Sequence, residues 1–161
     1  MDKGKFGRRD RLIQEKKHDT YKEDKKWPEP TLCTKCRSVF QNGRWDWADE
    51  PSGEVNSATC PACRRIAHNY PAGHVELKGD FFTKHQEEIR NLIRNEEKLE
   101  KGEHPQERIM DIEQTEDGSV ITTTGIHIAR RIGDAISKAY QGDLAFTYGD
   151  GEKTIQVTWS R

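Results

Sequence analysis

Apolar residues Phe82, Ile89, Leu92, Ile93 and Leu99 recur at helical spacing among charged neighbours in "DFFTKHQEEIRNLIRNEEKLEKGE", which predicts an amphipathic helix. Pairs such as Glu87/Arg90 and Glu97/Lys101 suit its solvated face, and Gly102 and Pro105 end it. The period then changes to that of strands: "RIMDIEQTEDGSVITTT" holds two β-rich runs around Glu116-Asp117-Gly118, with Asp-Gly as the hairpin signal. A second helix follows, with Ile128, Ala129, Ile132, Ala135, Ile136, Ala139 and Tyr140 as its apolar stripe, Thr124 as its expected cap and Gly142 as its stop. The chain closes on a second hairpin, "LAFTY", "GDGE" and "KTIQVTWS", in which Ile155, Val157 and Trp159 alternate strictly. The order α-β-β-α-β-β predicts an α+β fold: a four-stranded antiparallel sheet with two helices on one face.

Upstream the pattern is weaker. After Cys63 the chain reads as a short helix or turn, a "PAG" turn, a brief extended "HVEL" and a bend at Lys78-Gly79-Asp80. In "GRWDW", Trp45 and Trp47 flank Asp46, which predicts both indoles on one face of a strand. They could cover a small core or offer a stacking platform for nucleobases. Residues 1–31 have no apolar period; Leu12 and Ile13 do not make a helix face, and "WPEP" ends any helix there. The expected organisation is an arm (1–31), a ribbon with its connector (32–79) and the α+β domain (80–161).

Charge sharpens this division. The net charge of −1 over 161 residues conceals about +3 in the arm, +1 in the ribbon and −5 in the rest. In "KGKFGRRDR", Lys3, Lys5, Arg8, Arg9 and Arg11 resemble the basic extensions that neutralise nucleic-acid phosphates; the plainer reading is a solvated tail. No secretory signal opens the sequence and no stretch approaches the roughly 18 apolar residues of a membrane span, so a cytosolic setting without structural disulfides is expected.

All four cysteines fall in two Cys-x-x-Cys pairs, Cys33/Cys36 and Cys60/Cys63, with 23 residues between them. Two such pairs supply four thiolates to one tetrahedral Zn²⁺, each tight turn presenting two sulfurs. Arg37, Arg64 and Arg65 follow the pairs and are placed to offset the charge of a zinc–thiolate centre. Four sulfurs leave no open position for water, so the metal is expected to act as a staple for a piece too small to fold alone. A redox role for "CPAC" is disfavoured by the matching second pair, and His68 and His74 are surplus as ligands. "GDGEKT" is not a phosphate-binding loop, because Glu152 stands where the last glycine is required and a strand follows.

The knuckles, "DGSVITTTGIHIARRIGDAI" and the terminal "TIQVTWSR" together resemble the nonsense-mediated decay protein 3 family of large-ribosomal-subunit export adaptors and short bacterial proteins grouped with it. The resemblance spans Cys33 to Cys63 and Gly118 to Arg161. It implies a non-enzymatic protein that binds the ribosome, with the large subunit favoured and Cys33, Cys36, Cys60 and Cys63 as zinc ligands. Arg130 and Arg131 match basic positions of the family's helix.

These readings together predict a cytoplasmic, non-enzymatic zinc-ribbon protein that docks on ribosomal or other structured RNA, in ribosome assembly or stress-time silencing. Its candidate RNA contacts are Lys3, Lys5, Arg8, Arg9, Arg11, Arg64, Arg65, Trp45 and Trp47. The alternative is a protein–protein adaptor that uses the acidic α+β domain. The final strand is a candidate exposed edge for pairing with a second copy.

Overall fold

The computed structural model describes residues 27–149 and 151–161, so the arm residues Lys3, Lys5, Arg8, Arg9 and Arg11 lie outside the described residues. Two sheets organise the rest. The first contains four three-residue strands, β1 (Thr31–Cys33), β2 (Val39–Gln41), β3 (Arg44–Asp46) and β4 (Asn56–Ala58), in the order β3-β2-β1-β4. Strands β1, β2 and β3 pair antiparallel in sequence, and β4 returns parallel to β1. Asn42 and Gly43, both with positive φ, turn the chain between β2 and β3. Helix α1 (Pro61–His68) follows, started by Cys60 as its N-cap with proline at its first position and ended by Asn69 in the left-handed conformation.

The second sheet is larger than predicted. It has five strands in the order β6-β7-β5-β9-β8, formed by β5 (Gly73–Lys78), β6 (Ile109–Gln114), β7 (Gly118–Thr123), β8 (Asp143–Gly149) and β9 (Thr154–Ser160). The expected four-stranded antiparallel sheet is therefore corrected: β5, read as a brief extended run in a connector, is the central strand, antiparallel to β7 and parallel to β9. Each predicted hairpin pairs internally, and β5 joins them. Burial on the inner face explains this, since Val75 and Leu77 are fully enclosed while Lys78 is exposed. The final strand, expected as a candidate edge, is interior; β6 and β8 form the edges.

The long predicted helix is split into α2 (Asp80–Lys84) and α3 (Gln86–Glu103) at His85, whose φ of −119° leaves helical geometry. The start of α2 is capped by the residue that follows β9. Arg161 O accepts from the N–H groups of Phe81 (2.8 Å) and Phe82 (3.2 Å), and the Arg161 guanidinium lies 4.2 Å over the Phe81 ring. Gly79 makes this approach possible: its φ is +109°, and a Cβ there would meet Arg161 O at 2.3 Å. Helix α4 (Ile126–Tyr140) crosses β5, β7, β8 and β9, and α3 packs along α4. One core unites Ile128, Ile132 and Ile136 of α4 with Ile89 and Ile93 of α3, Phe82 of α2 and Val75, Ile121, Val157 and Trp159 of the sheet. Leu99, counted in the predicted stripe of α3, is instead 51% exposed.

Among the described residues no helix is long and apolar enough to cross a membrane.

Candidate metal centre

Both Cys-x-x-Cys turns are built by local backbone geometry. Cys33 ends β1, its N–H bonded to Ser38 O (2.8 Å), and Arg37 N bonds Cys33 O (3.0 Å) with Arg37 itself at φ +70°. This loop folds Cys36 back beside Cys33. In the second pair the sulfur of Cys60 caps α1, accepting from Cys63 N at 3.4 Å, so Cys60 and Cys63 share the first helical turn. The two pairs then meet: Cys60 N donates to Cys33 Sγ at 3.3 Å.

The four sulfurs lie within 4.8 Å of one another and form no disulfide. A tetrahedron of thiolates with metal–sulfur distances of ~2.3 Å has edges of ~3.8 Å, and Cys36 Sγ stands 3.8 Å from Cys60 Sγ. The cluster can hold a metal ion. Cys33, Cys60 and Cys63 are buried and Cys36 is partly so. The hydrogen bond from Cys60 lowers the pKa of Cys36, against burial, with help from Ser38 and Arg108. The same shared bond, followed by burial, raises Cys60, and burial raises Cys63.

The cation beside the sulfurs comes from the α+β unit. Arg108, 8% exposed, points Nη1 at Cys63 Sγ (3.4 Å) and Nη2 at Cys60 Sγ (3.4 Å) and Cys36 Sγ (3.5 Å), while its Nε donates to Pro105 O (2.6 Å). Burial works against its positive charge, but the three sulfurs outweigh that and the guanidinium pKa is raised. Arg37, expected to offset the charge, pairs with Glu50 in solvent (2.8 Å), and Arg65 gives its Nη1 to Tyr70 O (3.1 Å).

Of three consecutive residues, Gln106 and Arg108 join the ribbon to the larger unit, and Glu107 braces the larger unit between them. Gln106 Oε1 accepts from Ala62 N at the start of α1 (2.9 Å), and its side-chain amide faces Cys60 and lowers that thiol's pKa. Glu107 Oε1 accepts from Ile128 N in the first turn of α4 (2.9 Å). A Cβ on Gly125 would lie 2.2 Å from the Glu107 carboxylate oxygens, so glycine there leaves room for the contact. Arg108 completes the series at the sulfurs. Thr124 was the expected helix cap; instead its hydroxyl accepts from Arg108 N (2.8 Å) and donates to Gln106 O (2.6 Å), bracing this segment while Glu107 does the capping. Nothing in the local pattern of "HPQERIM" marks these roles, because every partner is distant in sequence.

The predicted RNA contacts are dispersed. Trp45 packs against the cysteine cluster and meets Phe40 and Trp27 edge-on, each at 5.5 Å between ring centroids. Trp47 lies beyond β3 and donates its Nε1–H to Lys101 O in the last turn of α3 (2.6 Å). The two indoles thus have different packing partners. Arg65 is only 3% exposed, and Arg64 is half-buried. Lys35, Arg37 and Arg44, which the candidate set omitted, are exposed on the ribbon.

No protein-family model matches the chain, and no curated protein matches it.

Proposed function

We propose that the protein is a non-enzymatic, cytoplasmic zinc-ribbon protein that docks on structured RNA, with the large ribosomal subunit as the favoured target. The observation that carries this reading is the closed set of four sulfurs. A centre with four protein ligands has no position for a reacting water or substrate, so its work is to hold a surface in shape. Zinc suits four thiolates at tetrahedral spacing better than harder divalent ions do. Cys33, Cys36, Cys60 and Cys63 would hold it, with Arg108 donating to the sulfurs.

The surface so held includes the exposed cations Lys35, Arg37 and Arg44, and it continues in sequence from the basic arm. Lys3, Lys5, Arg8, Arg9 and Arg11 would neutralise phosphates, releasing counterions, and Arg64 would add to them at the ribbon. Ribosome assembly and stress-time silencing both fit such a contact.

Sedimentation of tagged protein in cell lysate, at low and at high salt, tests the reading. Co-migration with ribosomal particles at low salt that is lost at high salt is expected. Co-migration that persists at high salt would point to protein contacts through the acidic α+β unit. Protein that stays at the top of the gradient in both conditions would refute ribosome docking.

A further inference from the structure

Between the ribbon and the α+β unit lies an open cavity of about 1060 Å³. Pockets for small molecules span roughly 300–1,000 Å³, so this one has room for more than a single nucleotide. Its ribbon side is aromatic, formed by Trp27, Phe40 and Trp45. Trp45 carries a further mark: its Nε1–H is buried and has no hydrogen-bond partner among the described residues. A buried donor left unpaired is unfavourable until an acceptor reaches it.

The charges lining the cavity are unequally engaged. Each of its three carboxylates already has a partner: Glu29 Oε1 accepts from Asn42 N (2.5 Å), Glu100 Oε2 from Arg131 Nη1 (2.7 Å) and Glu107 Oε1 from Ile128 N (2.9 Å). Lys153 and His127 have no ion-pair partner among the described residues, and Arg44 is 74% exposed with only a 3.7 Å contact to Asp46. The start of α4 also opens here, but Glu107 occupies it, so a phosphate would fall to the side-chain cations.

We propose that this cavity seats an unpaired nucleotide stretch of single-stranded RNA, with a base against the Trp27–Trp45 wall and phosphates beside Lys153 and Arg44. The inference rests on the RNA-docking reading and refines it by naming a site distinct from the arm. Aromatic faces with neighbouring cations are how proteins hold single strands without demanding a sequence. The cavity's size favours a strand over a free nucleotide.

The test uses full-length, metal-loaded protein, fluorescein-labelled hexaadenylate RNA, AMP and purified ribosomal RNA. Trp27→Ala is expected to weaken hexaadenylate binding about tenfold, as the loss of one base–aromatic stack does. Lys153→Glu, in the turn before β9, should lower the slope of log Kd against log salt by about one. A variant with Lys3, Lys5, Arg8, Arg9 and Arg11 changed to Glu should weaken ribosomal RNA binding far more than hexaadenylate binding. Metal content and helical signal equal to wild type qualify each variant.

Hexaadenylate that does not bind, or that binds the two cavity variants as tightly as wild type, overturns the cavity proposal; retained ribosomal RNA binding would then leave docking standing. Cavity-dependent hexaadenylate binding without ribosomal RNA binding supports the cavity and overturns docking. AMP bound as tightly as hexaadenylate, with the same dependence on Trp27 and Lys153, identifies a free-nucleotide site and overturns the assignment to RNA.

Discussion

Arg108 offers the sharpest test of how the two parts of the molecule are joined. Its guanidinium reaches three sulfurs at 3.4–3.5 Å from a position in the α+β unit, and it is 8% exposed. Truncation in Arg108→Ala would leave the thiolates without their buried counter-charge, and breaking a buried ion pair by removing one partner costs about 3–5 kcal/mol. Part of that loss should appear as metal affinity, since removing groups that hydrogen-bond to metal ligands weakens binding about 10–100-fold. The remainder should appear as lower folding stability, because Pro105 O loses its donor and the side chain leaves a void. Arg108→Lys keeps the charge but not the fork that spans three sulfurs, so its effect should be intermediate. Competition with a chromophoric zinc chelator measures the first quantity, and thermal unfolding with and without chelator measures the second. In the wild type, stripping the metal should also destabilise the α+β unit, and Arg108→Ala should shrink that difference. Metal affinity within twofold of wild type in Arg108→Ala, with unchanged unfolding, would refute the argument.

Three further outcomes are expected. Cys60→Ser should abolish stoichiometric metal binding and unfold the ribbon while most helical circular dichroism survives, because α2, α3 and α4 share a core with the five-stranded sheet; loss of the whole signal would show one cooperative unit. Glu107→Ala removes the acceptor for Ile128 N and should cost about 1 kcal/mol in denaturant unfolding, within the range of lost helix caps, whereas Glu107→Gln should retain most of it. Cys60 and Cys63 have raised pKa values, so at neutral pH they carry protons that a metal must displace. Binding should therefore release protons, and affinity should climb as pH rises and fall as it drops; calorimetry in buffers of differing ionisation enthalpy would detect this, and zero release would contradict it.

The α+β class and most of the elements were legible because their determinants are local. The alternation of Ile155, Val157 and Trp159 specifies which face of β9 is buried, and the Ile128–Ile132–Ile136 spacing does the same for α4. The two Cys-x-x-Cys pairs likewise announce a four-sulfur cluster, since a tight turn must place two sulfurs together. Sheet membership was not local. A six-residue run such as Gly73–Lys78 can be an edge, a connector or a centre, and only pairing with β7 on one side and β9 on the other decides that it is the centre. The capping of α2 depends on a carbonyl supplied by Arg161. Most of all, the residues that complete the metal centre were hidden, because a cation three residues past a proline looks like any strand-opening arginine. What makes Arg108 a partner of the thiolates is the docking of the two units, which brings it to Cys63, 45 residues away in sequence. Local pattern carries periodicity and turn chemistry, whereas long-range charge pairing exists only once the tertiary fold has brought buried groups face to face.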